Sequence, residues 1–132
     1  MGNYFQKEIE CASADQIRAW QSERLVKQVK NIYDNVPYYR TRMQNKGLEP
    51  DDIKSIDDLH KLPFITKDDL RDAYPYGLLA RPLKDCVRMQ STSGTTGRRV
   101  VAFYTQHDLD LWEDCCARAI VAAGGTKEDV VH

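Results

Sequence analysis

A chain of 132 residues is the size of one domain or of a portion of a larger one. With 19 Lys+Arg against 20 Asp+Glu the net charge is −1, which excludes a generic basic nucleic-acid binder, and 42% hydrophobic with 30% charged residues excludes wholesale disorder. No apolar run approaches the roughly 20 residues of a membrane span. The polar start, Met1 to Glu10, is no signal peptide, and Gln6 stands where a myristoylation motif wants Ser or Thr. A soluble, cytoplasmic chain with neither nucleic acid nor membrane as partner is expected.

Ser13 and Gln16 form an S-x-x-Q capping pattern, after which Ile17, Trp20, Leu25, Val29, Ile32 and Val36 recur at helical spacing. Arg18, Glu23, Arg24, Lys27 and Lys30 fall on the opposite, solvated face. Pro37 ends this helix, because the residue before proline avoids helical geometry. Tyr38 to Lys46 predicts a shorter helix closed by Gly47. Leu48 to Tyr74 reads as short helices and turns, with Ser55-x-x-Asp58 and Thr66-x-x-Asp69 at helix starts. The paired carboxylates Asp51-Asp52, Asp57-Asp58 and Asp68-Asp69 all lie in such contexts, so capping explains them better than acid catalysis or a metal.

Cys86 to Gln90 alternates as a strand, and the β-branched and aromatic run Val100 to Tyr104 predicts a second. Thr105-x-x-Asp108 opens a helix whose apolar positions are Leu109, Leu111, Trp112, Cys116, Ala119, Ile120 and Ala123, with Gly124-Gly125 closing it. Val130-Val131-His132 resembles the entry into a further strand. Cys11, Cys86, Cys115 and Cys116 show no metal-ligand spacing and read as small buried residues or free thiols. His60, His107 and His132 are isolated, and no metal site is expected.

One segment carries chemistry. Ser91-Thr92-Ser93-Gly94-Thr95-Thr96-Gly97 consists only of Ser, Thr and Gly, lies between the two predicted strands, and is followed by Arg98-Arg99. Its glycines let the backbone approach a ligand, its hydroxyls and N–H groups can surround phosphate oxygens, and arginine grips phosphate through paired hydrogen bonds. Arg81, Lys84, Arg88, Arg98 and Arg99 against Asp85 make the surroundings locally +4. Gly94 and Gly97 are only three apart with no Lys-Ser/Thr after them, so the segment is not a Walker A loop. A flexible Ser/Thr/Gly turn is the competing reading.

Ser91 to Arg98 resembles the phosphate loop of the adenylate-forming enzymes. The flanking segments are similar to the phenylacetate–CoA ligase family within that group: Glu23-Arg24-Leu25 through Asn35-Val36-Pro37-Tyr38-Tyr39-Arg40, Leu62 to Arg71, Tyr74-Pro75-Tyr76-Gly77, and Tyr104-Thr105 with Asp108-Leu109-Asp110 and Trp112. The similarity is colinear from about Cys11 to His132. It implies an α/β fold, the N-terminal portion of an adenylate-forming large domain, with 1–84 a mainly helical lead-in and 85–132 a strand, phosphate loop, strand and helix. It also implies ATP with Mg²⁺, coenzyme A as co-substrate and an aromatic carboxylic acid as substrate. Ser91, Thr92, Ser93, Gly94, Thr95, Thr96, Gly97 and Arg98 would contact the ATP tail, and a loop threonine would reach the metal.

Three positions depart from the family pattern. Arg98 stands where Lys is usual, Arg99 where Pro follows, and Phe103 where glycine is common. Family members are several-fold longer, so the catalytic lysine, the aryl pocket and the small C-terminal domain are expected beyond His132, and this chain alone is expected to be inactive. Its expected partners are the remainder of the same enzyme and, as an alternative assembly, further copies of itself. Two rival readings remain: an adenylating enzyme with another acid or thiol acceptor, and a non-catalytic nucleotide-binding or scaffolding module.

Overall fold

The computed structural model describes residues 3–93 and 99–130. A one-turn helix α1 (Lys7–Glu10) leads into the 22-residue α2 (Ala14–Asn35). Ser13 caps α2 by accepting from the Gln16 amide at 3.2 Å; of the S-x-x-Q pattern, this half of the box is the one formed. Val36, in extended geometry, separates α2 from α3 (Pro37–Asn45), where Pro37 occupies the first turn that tolerates a missing N–H. Gly47, at φ 67°, closes α3: its amide reaches the Gln44 carbonyl at 2.9 Å and the Leu48 amide reaches that of Met43 at 3.0 Å, a Schellman pair.

The lead-in continues through 3₁₀ turns Pro50–Asp52 and Ile56–Lys61 to the short α4 (Lys67–Asp72). Each begins with a reciprocal capping box, Glu49/Asp52, Ser55/Asp58 and Thr66/Asp69. The second carboxylate of each acidic pair is therefore a cap. Of the first carboxylates, Asp57 pairs with Arg18 of α2, and Asp68 pairs with Arg71 at 2.9 Å.

The cluster of buried apolar residues among the described residues sits in this lead-in. Val29, Val36, Tyr39, Met43 and Ile53 are buried, with Leu25, Ile32, Leu48, Leu62 and Leu78 packed around them. Of the predicted α2 stripe, Ile17 instead remains 40% exposed and Trp20 half-buried.

Beyond a 3₁₀ turn at Leu83–Asp85, β1 (Cys86–Ser91) and β2 (Val101–Thr105) form an antiparallel pair. Their register sets Met89 opposite Phe103, Arg88 opposite Tyr104 and Ser91 opposite Val101, with an irregularity between Cys86 and Arg88. A box made by Thr105 and Asp108 opens α5 (Gln106–Ala122), which a second Schellman pair at Gly124 and Gly125 ends. The α5 apolar positions do not pack as predicted: Leu109 alone is buried, while Leu111, Trp112 and Ile120 are 45%, 42% and 43% exposed and Cys116 and Ala119 are exposed. Two strands offer too little surface to cover a 17-residue helix. The cysteines are free, with Cys11, Cys115 and Cys116 exposed rather than buried. Thr126 to Asp129 makes a capped turn and Val130 is 80% exposed, while Val131 and His132, which with Val130 carry the expected strand entry, lie outside the described residues.

Candidate functional site

The hairpin holds the mouth of the Ser/Thr/Gly segment. Ser91 is the last residue of β1, paired with Val101, so its backbone belongs to the ladder and its side chain to the Val87–Met89 face. One step on, the Thr92 amide donates to the Val100 carbonyl at 3.0 Å, and the Val100 amide donates to Thr92 Oγ1 at 3.2 Å. Thr92 thus closes the two limbs of the segment with backbone and side chain together. Ser93 and Arg99 are exposed beside it. Gly94, Thr95, Thr96, Gly97 and Arg98 lie outside the described residues.

Two aromatic contacts fix the hairpin to its surroundings. On one face the Phe103 ring lies 5.5 Å from that of Tyr76, in the Tyr74-to-Gly77 stretch of the lead-in. On the other, Tyr104 lies 5.6 Å from Trp112 of α5. A shallow hollow of about 350 Å³, lined by Tyr76, Leu83, Cys86, Val87, Arg88, Met89 and Phe103, runs along the first face. A larger one, about 730 Å³, lies between α3 and Tyr76–Leu79 and takes no lining residue from 91–99. Arg81, Lys84, Arg88 and Arg99 are all exposed, so the positive charge foreseen around the loop faces solvent. At the start of α5 the Asp108 carboxyl is held below its usual range by hydrogen bonds from Thr105, with His107 and Arg81 adding positive charge.

The most strongly connected ionisable group lies in the lead-in. Asp69 accepts from Tyr38 at 2.7 Å, from the Thr66 amide and hydroxyl at 2.6 and 2.8 Å, and from Arg42 at 2.6 Å. Those bonds, led by that of Tyr38, lower its carboxyl to about 2. The Tyr38 hydroxyl is raised for the reciprocal reason. Arg42 also donates to the Phe64 carbonyl at 2.7 Å and lies over the Tyr38 ring. The Thr66-x-x-Asp69 spacing announces the cap; nothing in the sequence announces Arg42 and Tyr38, because they arrive from another helix. This cluster ties α3 to α4, and among the described residues no group of three or more His, Cys, Asp or Glu is placed to hold a metal. No described helix is long and apolar enough to cross a membrane.

No family model matches the chain. Among solved structures, 2-hydroxyisobutyryl-CoA ligase in complex with 2-HIB-AMP and CoA superposes with a TM-score of 0.80 at 25% identity, over 89% of this chain and 26% of that one. The same ligase in its postadenylation state gives 0.77 at 22% identity. The fold is therefore α/β, that of the N-terminal portion of an adenylate-forming CoA ligase. In sequence the chain is similar to phenylacetate-coenzyme A ligases: 50% identical over 124 residues to that of Pseudomonas putida, 49% to that of Aromatoleum evansii and 45% to that of Escherichia coli. Each match takes in 94% of this chain and 28% of the relative. The chain thus resembles the N-terminal portion of the phenylacetate–CoA ligases and spans little more than a quarter of their length.

Proposed function

We propose that the chain supplies the ATP-tail-binding part of an AMP-forming aryl-acid–CoA ligase. In this reading 1–84 is the helical lead-in and 85–132 the strand, phosphate loop, strand and helix of an incomplete large adenylation domain. The observation that carries it is the setting of the Ser/Thr/Gly segment: a hairpin ladder ending at Ser91↔Val101, clamped by Thr92 and Val100, within a colinear match at 50% identity.

An aromatic carboxylate attacks the α-phosphorus of ATP, the bond to pyrophosphate breaks, and an acyl adenylate forms. The thiol of coenzyme A then attacks the acyl carbon, AMP leaves, and a thioester results. The carboxyl is activated because AMP leaves where hydroxide does not. Ser91 to Arg98 would orient the β- and γ-phosphates and stabilise charge on the departing pyrophosphate, a contribution made by fixed donors rather than by a protein base. The exposed hydroxyls of Ser91, Thr92 and Ser93 and the exposed guanidinium of Arg99 fit an anionic tail. A loop hydroxyl would supply one oxygen ligand to the Mg²⁺ carried by ATP, which would offset the negative charge of the phosphates. Arg98 in place of the usual Lys keeps the charge and offers a fork instead of a point.

The test is a chimera in which this chain replaces the matching N-terminal portion of the Pseudomonas putida ligase. Pyrophosphate release from ATP is measured with phenylacetate, benzoates and indoleacetate, with and without coenzyme A. Acid-dependent release is the expected result, with Arg98→Ala lowering it by about 10²–10³, the loss typical of one transition-state donor. A folded chimera that binds ATP and activates no acid refutes the reading and favours the non-catalytic module.

A further inference from the structure

We infer that Tyr76 is a positioning residue for the phosphate loop: from the lead-in its ring braces Phe103, and so fixes where the hairpin carries the loop mouth at Thr92 and Val100; the inference rests on the ligase reading above. The hairpin cannot hold its own angle. Every residue of β1 after Cys86 is exposed, those of β2 are half-buried, and none of either strand belongs to the buried cluster. Two paired strands alone are marginal in water. On one face Tyr104 meets Trp112, but α5 follows β2 directly, so that contact travels with the hairpin. On the other face Tyr76 reaches Phe103 from a segment anchored elsewhere.

That anchorage is visible in the backbone on either side of Tyr76. The Gly77 amide donates to the Ala73 carbonyl at 2.7 Å, at the end of α4, and the Leu79 amide donates to the Tyr76 carbonyl at 3.0 Å. A Cβ at Gly77 would stand 2.7 Å from the Ala73 carbonyl oxygen and 3.0 Å from the Ala73 Cβ, so glycine is what lets this turn close. Leu78 and Ala80 then pack against the buried cluster of the lead-in. Tyr76 is thus tied to α4 at one end and to the core at the other. Its ring centroid lies 5.5 Å from that of Phe103, with the planes 35° apart, an ordinary attractive geometry for two aromatic rings.

The brace acts at the base of a lever. Phe103 is two residues from Val101, the partner of Ser91, and three from Val100, whose amide Thr92 accepts. At about 3.3 Å per residue, the loop mouth stands about 10 Å from the brace. Over that length a tilt of about 6° at Phe103 shifts the mouth by about 1 Å. A misplacement of about 1 Å at a group that orients a reacting substrate can cost about 10² in rate.

The experiment uses the chimera described above, in which this chain replaces the matching portion of the Pseudomonas putida ligase, with Tyr76→Phe, Tyr76→Leu, Phe103→Leu and the double leucine variant. Tyr76→Leu should raise KM for ATP about tenfold and lower kcat for acid-dependent pyrophosphate release by about 10–10², while KM for the acid stays within about twofold. Tyr76→Phe, which keeps the ring, should restore all three to within about twofold. Phe103→Leu should reproduce the loss, and the double variant should lose no more than the worse single one, because both act through one contact. A lower kcat at unchanged KM for ATP is what a smaller folded fraction gives, and it overturns the inference. So do losses that multiply in the double variant, a Tyr76→Phe as impaired as Tyr76→Leu, and leucine variants equal to the parent. A chimera that binds ATP and activates no acid refutes the ligase reading, and the ATP affinities then decide the inference. Weakening of about tenfold by Tyr76→Leu with recovery in Tyr76→Phe upholds it, and equal affinities overturn it. A folded chimera that binds no ATP overturns both.

Discussion

Met43 is fully buried and stands at the centre of the only described core, touching the cluster of Val29, Val36, Tyr39 and Ile53. Met43→Ala removes three heavy atoms, worth about 2.4 kcal/mol of transfer free energy at roughly 0.8 kcal/mol per group, before any cavity term. With the cavity the cost reaches about 3–4 kcal/mol, inside the range of about 2–5 kcal/mol for such truncations. The backbone has no reason to move, since alanine is a good helix former and the carbonyl that receives the Leu48 amide is unchanged. Because only five hydrophobic residues of the lead-in are buried, no neighbouring core shares the loss. Urea titration followed by far-ultraviolet circular dichroism reads the change as a lower midpoint at constant slope. Met43→Leu, which keeps the volume, should cost less than about 1.5 kcal/mol. A Met43→Ala cost below about 1 kcal/mol at unchanged slope would refute the placement of the core.

Gly47→Ala tests torsion alone, because an added Cβ there meets nothing within 4 Å while φ is +67°; a loss of about 1–2 kcal/mol in the same titration is expected, and none would remove the Schellman closure. Asp58 and Asp69 are held at about 2, against about 3.9 in an unfolded chain. Depressed carboxyls confer stability that is complete above about pH 4 and lost as pH falls towards 2, so melting temperature should drop across that window and Asp69→Asn should flatten the drop. Thr92→Val removes the acceptor of the Val100 amide at the mouth of the segment and should cost about 0.5–1 kcal/mol of local stability, read as faster exchange at Val100, while Thr92→Ser restores protection.

Local signals in the sequence located the elements well. Ser13, Pro37 and Gly47 each impose a backbone condition that no tertiary contact is needed to enforce, and they bound α2 and α3 in the structure. The hydroxyl–carboxylate pairs at three-residue spacing mark chain reversals for the same reason. Contacts between distant segments left no such mark. Tyr39 and Met43 lie in a helix rich in polar residues, and their burial follows from what α2 and Ile53 bring against them. α1 shows no amphipathic run; its flank is held by Gln6, which receives Arg118 of α5 at 2.6 Å. At the site the composition of 91–97 was legible, but the division of labour was not. Ser91 turns out to be a ladder residue and Thr92 a clamp, roles that depend on register with Val100 and Val101.

Phe103 shows how one side chain can tie the hairpin to the rest of the fold. A glycine at this point of β2 would leave Met89 facing an empty position and give Tyr76 no ring to meet. Phe103 instead joins the hairpin, which has almost no core of its own, to the lead-in that has one. Phe103→Gly loses an aromatic pair worth about 0.5–1.5 kcal/mol beyond its area, and places glycine in a strand at a further cost of about 0.5–1 kcal/mol. Amides of β1 and β2 should then exchange about tenfold faster, whereas Val29 and Met43 in the lead-in keep their rates. Phe103→Leu, which preserves strand geometry without the ring, should fall between. Equal acceleration in both regions would mean that hairpin and lead-in unfold as one unit, and the Tyr76–Phe103 contact would then be incidental to how the loop is held.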